Sequence, residues 1–431
     1  MSVGFTYEGG ELCADQVPLG AIAEAVGTPA YVYSGTLMRA RLRQFLAAFA
    51  DQRVLVCYAL KANSNLAVIR TLADEGAGAE IVSGGELQRA LAVGVPPSRI
   101  VFSGVGKSRD EMLQALDARI AQFNVESVPE LIALGEVAAA RRLRAPIALR
   151  VNPDVAAETH DKISTGRRHD KFGIACDQAL EVYELARRLA GIELVGLHLH
   201  IGSQILSLAP FEAAYRRGFE LVRALRAAGI RLRRLDLGGG LGVPYRTELA
   251  LDLAAYAALV GRLTAGSDLE LVFEPGRFLV AEAGVLLSRV LYLKEGGDRP
   301  CVVVDAGMNN LLRPALYDAY HPILPVVEPP AGVARAAMDV VGPICESTDV
   351  FARARDLPQL GAGDLVAFAG AGAYGAVMAS DYNSRPQAAE VMVEGTRFAV
   401  VKPRIEPVAR FADERLPDWL TAAALERGAA S

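Results

Sequence analysis

Between about residues 35 and 285 the chain repeats one pattern: a short apolar run, a turn, then a stretch with apolar positions at helical spacing. The apolar runs are Val54–Tyr58, Ala79–Val82, Ile100–Phe102, Ala121–Val125, Ile147–Val151, Leu194–His200, Leu232–Leu237 and Leu269–Phe273. Between them lie helix formers such as "GELQRALAVG", "SRDEMLQALDAR" and "VPELIALGEVAAARR". Eight strands alternating with helices over roughly 250 residues is the count and size of a (β/α)8 barrel. An open doubly wound sheet alternates in the same way, but the count of eight favours the closed barrel.

After Ala283 the texture changes. "GVLLSRVLYLKEGGDRPCVVVDAG" reads as two strands joined by a Gly-Gly turn, and "DLVAFAGAGAYG" and "EVMVEGTRFAVVKP" continue in that style. The expected organisation is therefore α/β, a TIM-type barrel over residues 35–285 with a C-terminal β-rich domain over 286–431. The first segment, 1–34, contains the strand-like "PAYVYSG", outside the barrel count, and is expected to pair with that C-terminal domain. "VVEPPAGVARA" reads as a surface loop.

Composition narrows the function classes. The chain has 431 residues, 52% of them hydrophobic, enough to bury a large core. Its 45 basic and 50 acidic residues are intermixed, for a net charge of −5, which argues against nucleic acid as the partner. Five cysteines without a C-x-x-C spacing fit a reducing cytoplasm better than a disulfide scaffold or zinc ribbon. The N-terminus shows no signal-peptide pattern, and no apolar stretch reaches the roughly 18 residues of a membrane span. A soluble cytoplasmic protein is expected.

In such a barrel the chemistry gathers at the C-terminal ends of the strands. The first strand ends in "YALKANSN", which places Lys61 after an apolar run with nothing to solvate an ammonium. A lysine there either snorkels to water or is a buried nucleophile with a lowered pKa, able to form a Schiff base. The second strand ends in "EIVSGGEL", with Glu80 and Ser83; the fifth in "RVNPD"; the sixth in "HLHIGSQ"; the seventh in "LDLGGGLG"; the eighth in "FEPGR". Alternation would put His198 and His200 on one face, a possible metal pair. With five histidines in the whole chain and few other ligands at the strand ends, no metal is expected. "GGGLG" suits an anion held by backbone N–H groups, although a glycine run alone is weak evidence.

Taken together, these ends supply the parts of a pyridoxal 5'-phosphate site. Lys61 would carry the aldehyde, the His200 imidazole would pack on the ring face, and Ser203 with the glycines would take the phosphate. Glu274 would pair with the pyridine nitrogen.

The motifs "YALKANSN", "EIVSGGEL", "ISTGRRHDKFGI", "HLHIGSQ", "LDLGGGLGVPY", "EPGR", "GMNNLLRPALYDAYHPI" and "GPICESTDVF" occur in one order across most of the chain. In this the sequence resembles the fold-type-III pyridoxal-phosphate-dependent decarboxylases. The resemblance implies a barrel with a C-terminal β-domain, working as a homodimer with its sites at the subunit interface. By motif, Lys61 is the cofactor lysine and Glu274 the pyridinium partner, with Gly239, Gly240, Gly276, Arg277 and Tyr374 completing the cofactor contacts. Substrate-binding positions fall on Arg277, Arg313, Tyr317, Glu346 and Tyr374, and Cys345 matches a proton donor supplied with Glu346 by the partner subunit. One departure is "HPI" at 321–323, where a charged residue would follow His321; it lies outside the matched contacts.

The implied reaction is decarboxylation of meso-2,6-diaminopimelate to L-lysine. Charge supports that choice: two arginines and a tyrosine suit a distal carboxylate, whereas a substrate ending in an ammonium alone would be repelled. Alternatives are a relative acting on carboxynorspermidine, ornithine, lysine or a D-amino acid, a cofactor-binding protein without catalysis, and a metal-dependent barrel hydrolase.

Overall fold

The computed structural model describes residues 4–155, 171–295 and 298–420. Eight parallel strands form a closed ring in chain order: Val54–Ala59, Gly78–Ile81, Ile100–Phe102, Gln122–Val125, Ala145–Asn152, Ile192–His198, Arg234–Asp236 and Glu270–Phe273. The ring closes where Leu271, Val272 and Phe273 pair with Val54, Leu55 and Val56. All eight apolar runs of the sequence are barrel strands. They read clearly because strands covered on both faces, by helices outside and side chains inside, are apolar nearly throughout. The sixth differs at its end: the strand stops at His198, so His200 stands in the following loop rather than in the pleat.

Several helices around the ring start on a serine whose hydroxyl accepts from a backbone N–H three residues on. Ser83 caps Gly84–Ala92 through Glu86, Ser127 caps Val128–Ala140 through Glu130, and Ser108 opens Arg109–Ala118 with a full capping box to Glu111. Each cap fixes where the chain leaves the strand end, and so fixes the loops that carry the site.

Strand Ala30–Ser34 lies outside the barrel. It pairs antiparallel with Gly284–Lys294 and parallel with Ala389–Glu394, inside a second mixed sheet. Gly284–Lys294 also pairs with Cys301–Val304, as the sequence reading expects; the Gly296–Gly297 turn between them lies outside the described residues. Leu12, Val17, Leu19, Val32, Val285, Leu287 and Val391 form one buried cluster that ties the N-terminal hairpin to this sheet. Among the described residues no helix is long and apolar enough to cross a membrane.

The asparagine-rich turn after the first barrel strand is the joint between the two units. Asn63 Nδ2 donates to the Gly372 carbonyl at 3.1 Å, Asn65 Nδ2 donates to Glu390 at 3.0 Å, and the Tyr374 N–H donates to the Ala62 carbonyl at 2.7 Å. Buried amides with both ends satisfied pin the backbone just past Lys61.

Candidate active site

At the C-terminal mouth of the barrel lies a cavity of about 560 Å³. Lys61, His200, Ser203, Gly240, Glu274, Gly276, Arg277, Arg313, Tyr317 and Tyr374 all border it. Residues from barrel ends and from segments between strands of the second sheet thus meet in one concavity, the usual location for a ligand.

Lys61 sits in a single 3-10 turn, Leu60–Ala62, directly after the first strand. Its Nζ lies 3.0 Å from both oxygens of Glu80, whose carboxylate is fully buried. The expectation of a lowered lysine pKa is not met. Burial pulls it down, but the Glu80 carboxylate, then Tyr374 and Glu274, outweigh burial and hold the ammonium above its ordinary value. An adjacent buried anion favours the charged amine, and the sequence reading had given Glu80 no role.

Glu274, from the eighth strand end, is equally enclosed. Asn124 Nδ2 donates to its Oε1 at 2.9 Å, Ser103 Oγ at 3.4 Å, and His198 Nε2 stands 3.3 Å from Oε2. Burial would raise its pKa, yet His198, Lys61 and His200 together hold it below the usual carboxylate range. Next to it, Asp236 is pushed well above its ordinary value by burial and by the Glu274 charge. Two carboxyls this close do not both ionise, so the negative charge resides on Glu274. His198, Asp236 and Glu274 bring ligand atoms within 4.8 Å of one another. Their oxygens, however, accept hydrogen bonds from Gln122, Asn124 and the Gly238 N–H. That surrounding of N–H donors suits carboxyl groups and opposes a cation.

His200 accepts the Gly239 N–H on Nδ1 at 3.2 Å. Burial and the nearby charges of Arg150 and Lys61 push its pKa well below the ordinary value. A neutral, flat ring therefore faces the cavity, with its proton on Nε2. The two loops behind it run backbone against backbone. A Cβ at Gly239 would come within 2.3 Å of the Glu274 carbonyl, and one at Gly240, where φ is +107°, within 2.6 Å of the Gly202 carbonyl. Only glycine permits that approach.

Arg277 Nη2 donates to Ser203 Oγ at 3.1 Å and Nη1 to the Tyr245 hydroxyl at 3.0 Å, while its guanidinium stacks 4.8 Å from the Tyr374 ring. Tyr374 takes a φ of +56°, a costly backbone state for a tyrosine, which its N–H bond to Ala62 helps to hold. Arg313 opens the short helix Arg313–Tyr317 and packs 4.8 Å from the Tyr245 ring. Among the described residues no carboxylate pairs with either arginine.

Cys345 and Glu346 are not brought into this cavity. Both are exposed and neither borders it. Their loop is braced by hydrogen bonds all the same. The buried Asp349 carboxylate accepts the N–H groups of Met308 and Ile344 at 2.6 Å, and Asn383 Oδ1 accepts that of Cys345 at 2.8 Å. The "ISTGRRHDKFGI" motif lies largely outside the described residues.

Sequence reasoning passed over Glu80, Asn124, Asp236, Tyr245 and His321. Glu80 and Asp236 stood in quoted strand-end motifs and Tyr245 closed the glycine motif, so position was a usable signal. Asn124 carried none, being an interior residue of the fourth strand.

Comparison with known proteins agrees with this geometry. The family model for the pyridoxal-dependent decarboxylase, pyridoxal binding domain, matches residues 36–281. A diaminopimelate decarboxylase of Zymomonas mobilis is 47% identical over 97% of this chain and 100% of the relative. One of Vibrio cholerae is 50% identical over 93% of this chain and 96% of the relative. The crystal structure of diaminopimelate decarboxylase from Helicobacter pylori complexed with L-lysine superposes with a TM-score of 0.88 at 42% identity, covering 91% and 98% of the two chains.

Proposed function

The chain belongs to the pyridoxal-dependent decarboxylases, and from that premise we propose that it removes one carboxyl group of meso-2,6-diaminopimelate, leaving L-lysine and carbon dioxide. The observation that carries the substrate choice is the pair of buried arginines, Arg277 and Arg313, in the cavity that also holds Lys61. Two guanidiniums without a carboxylate partner among the described residues leave a site short of negative charge. A distal carboxylate completes it; a substrate ending in an ammonium alone would be repelled.

The residues present fit pyridoxal phosphate: a half-buried lysine at the floor, a neutral flat ring at the wall, a close glycine cradle, and one ionised carboxylate below. When bound, the cofactor supplies an electron sink for the pair released with carbon dioxide. Lys61 would carry it, Glu274 would keep the pyridine nitrogen protonated, and His200 would cover the ring face. Gly239, Gly240, Gly276 and Ser203 would take the phosphate, with Arg277 tying Ser203 in place. Tyr374 would border cofactor and substrate alike. Arg277, Arg313 and Tyr317 orient the substrate through its distal carboxylate, so that the departing carboxyl faces the reacting centre.

The proton donor comes from a second copy. Cys345, with Glu346 for the distal ammonium, is exposed and outside the cavity of its own chain, which supports a homodimer with shared sites. Mixing inactive Lys61→Ala and Cys345→Ala proteins then restores activity, because one site of each hybrid dimer keeps both residues. Subunit exchange verified by mass without any recovery would refute sharing. We also divide the chain at residues 34/35 and 285/286 and place it in the cytoplasm, where its scattered free thiols stay reduced.

The substrate assignment is tested by product analysis. Purified protein with pyridoxal phosphate should convert meso-diaminopimelate to L-lysine and carbon dioxide, and should leave ornithine and lysine nearly untouched. Equal turnover of ornithine would replace this reading with that of a diamine-forming enzyme.

A further inference from the structure

Arg313 does not hold its own position. Its Nη1 donates to Nε2 of His321 at 2.8 Å, and His321 Nδ1 donates to the Ala369 carbonyl at 2.8 Å. An arginine can only donate, so Nε2 is the accepting nitrogen and the ring proton sits on Nδ1. The ring is 1% exposed and does not border the cavity. Its edge packs on Tyr245, with centroids 5.5 Å apart and planes at 73°, the same tyrosine whose face lies under Arg313. Arg355 Nη1 fixes the backbone from the other side by donating to the His321 carbonyl at 2.8 Å.

A carboxylate at this position would also hold the arginine, but it would neutralise the guanidinium and compete with a bound anion. A neutral imidazole takes one N–H and leaves the full charge and the other donors facing the cavity. The ring stays neutral at any working pH, since burial and then Arg313, Arg277 and Arg355 push its pKa down to about 3.

We propose that His321 is a specificity-determining positioning residue, which aims Arg313 at the distal carboxylate of the substrate without touching the substrate itself. The inference rests on the substrate reading above, so its test must separate the two. Competitive inhibition by L-lysine, which bears that carboxylate, is compared with inhibition by pentane-1,5-diamine, which lacks it, in wild type and in His321→Leu.

The expected result is an L-lysine affinity lowered by on the order of 10- to 100-fold in His321→Leu, with diamine affinity and cofactor absorbance unchanged. His321→Gln, which offers an acceptor near the place of Nε2, should recover most of the loss, whereas His321→Asn, with its acceptor nearer Nδ1, should not. If His321→Leu fails to load cofactor, the Gln and Asn variants decide alone: Gln must discriminate between the ligands and Asn must not. Equal weakening of both ligands, no weakening of either, or Asn matching Gln overturns the positioning role. Wild-type protein that itself fails to prefer L-lysine overturns the substrate reading and this inference with it.

Discussion

Replacing Lys61 by alanine lowers decarboxylation by on the order of 10⁴-fold or more, about 5 kcal/mol of lost transition-state stabilisation. The size follows from what is removed: the amine that carries the cofactor, and the positive charge beside Glu80 and Glu274. Borohydride should fix the cofactor irreversibly to wild-type protein, and peptide mapping should find it on Lys61. The alanine variant should take up no borohydride-stable label. Because Glu80 is fully buried and, among the described residues, pairs with Lys61 alone, the variant should also be less stable, and a second change, Glu80→Gln, should recover part of that stability. Label found on another lysine would refute the assignment.

How far such a site could be read from sequence depended on where each residue sits. Barrel strands announce themselves, since a strand covered on both faces must be apolar, and all eight runs lie in the ring. Their ends then point to the mouth, which is how Lys61, His200, Ser203, Glu274 and Arg277 came together in one cavity. What stayed hidden was pairing. Glu80 lies inside the second apolar run, and nothing in the spacing shows that its side chain meets Lys61 across adjacent strands. The consequence was a pKa direction opposite to the one expected.

His321 was hidden for a different reason. Its side chain lies behind Arg313, so a search for residues that touch ligand passes it by, although its neighbour at position 322 was noticed as a departure from the family pattern. Cys345 and Glu346 mark a third limit. Their motif is legible, but a single chain cannot show which cavity they enter, because they face outward on a loop braced by Asp349. Motifs name the parts of a shared site, and only geometry between copies assigns them.

The second large effect expected is at Arg313. It is 6% exposed, and its planar guanidinium can meet a carboxylate with two parallel N–H bonds in a place where water cannot substitute well. Arg313→Ala should therefore lower kcat/KM for meso-diaminopimelate by on the order of 10²-fold or more, about 3 kcal/mol. Cofactor loading should persist, since the cavity residues assigned to the phosphate and the ring lie on other loops. Much of the loss should appear in kcat, because the distal contact orients the departing carboxyl rather than only tethering the molecule. Lysine and ornithine, poor substrates of the wild type, should become no worse, since each, reacting at its own α-carbon, leaves only an ammonium at the distal end. Arg313→Lys should recover little, for a single ammonium on a flexible stem cannot reproduce the paired bonds. Should Arg313→Ala instead slow all these amino acids by one common factor, the arginine would be bracing the cavity rather than recognising substrate, and specificity would have to reside in Arg277 and Tyr317.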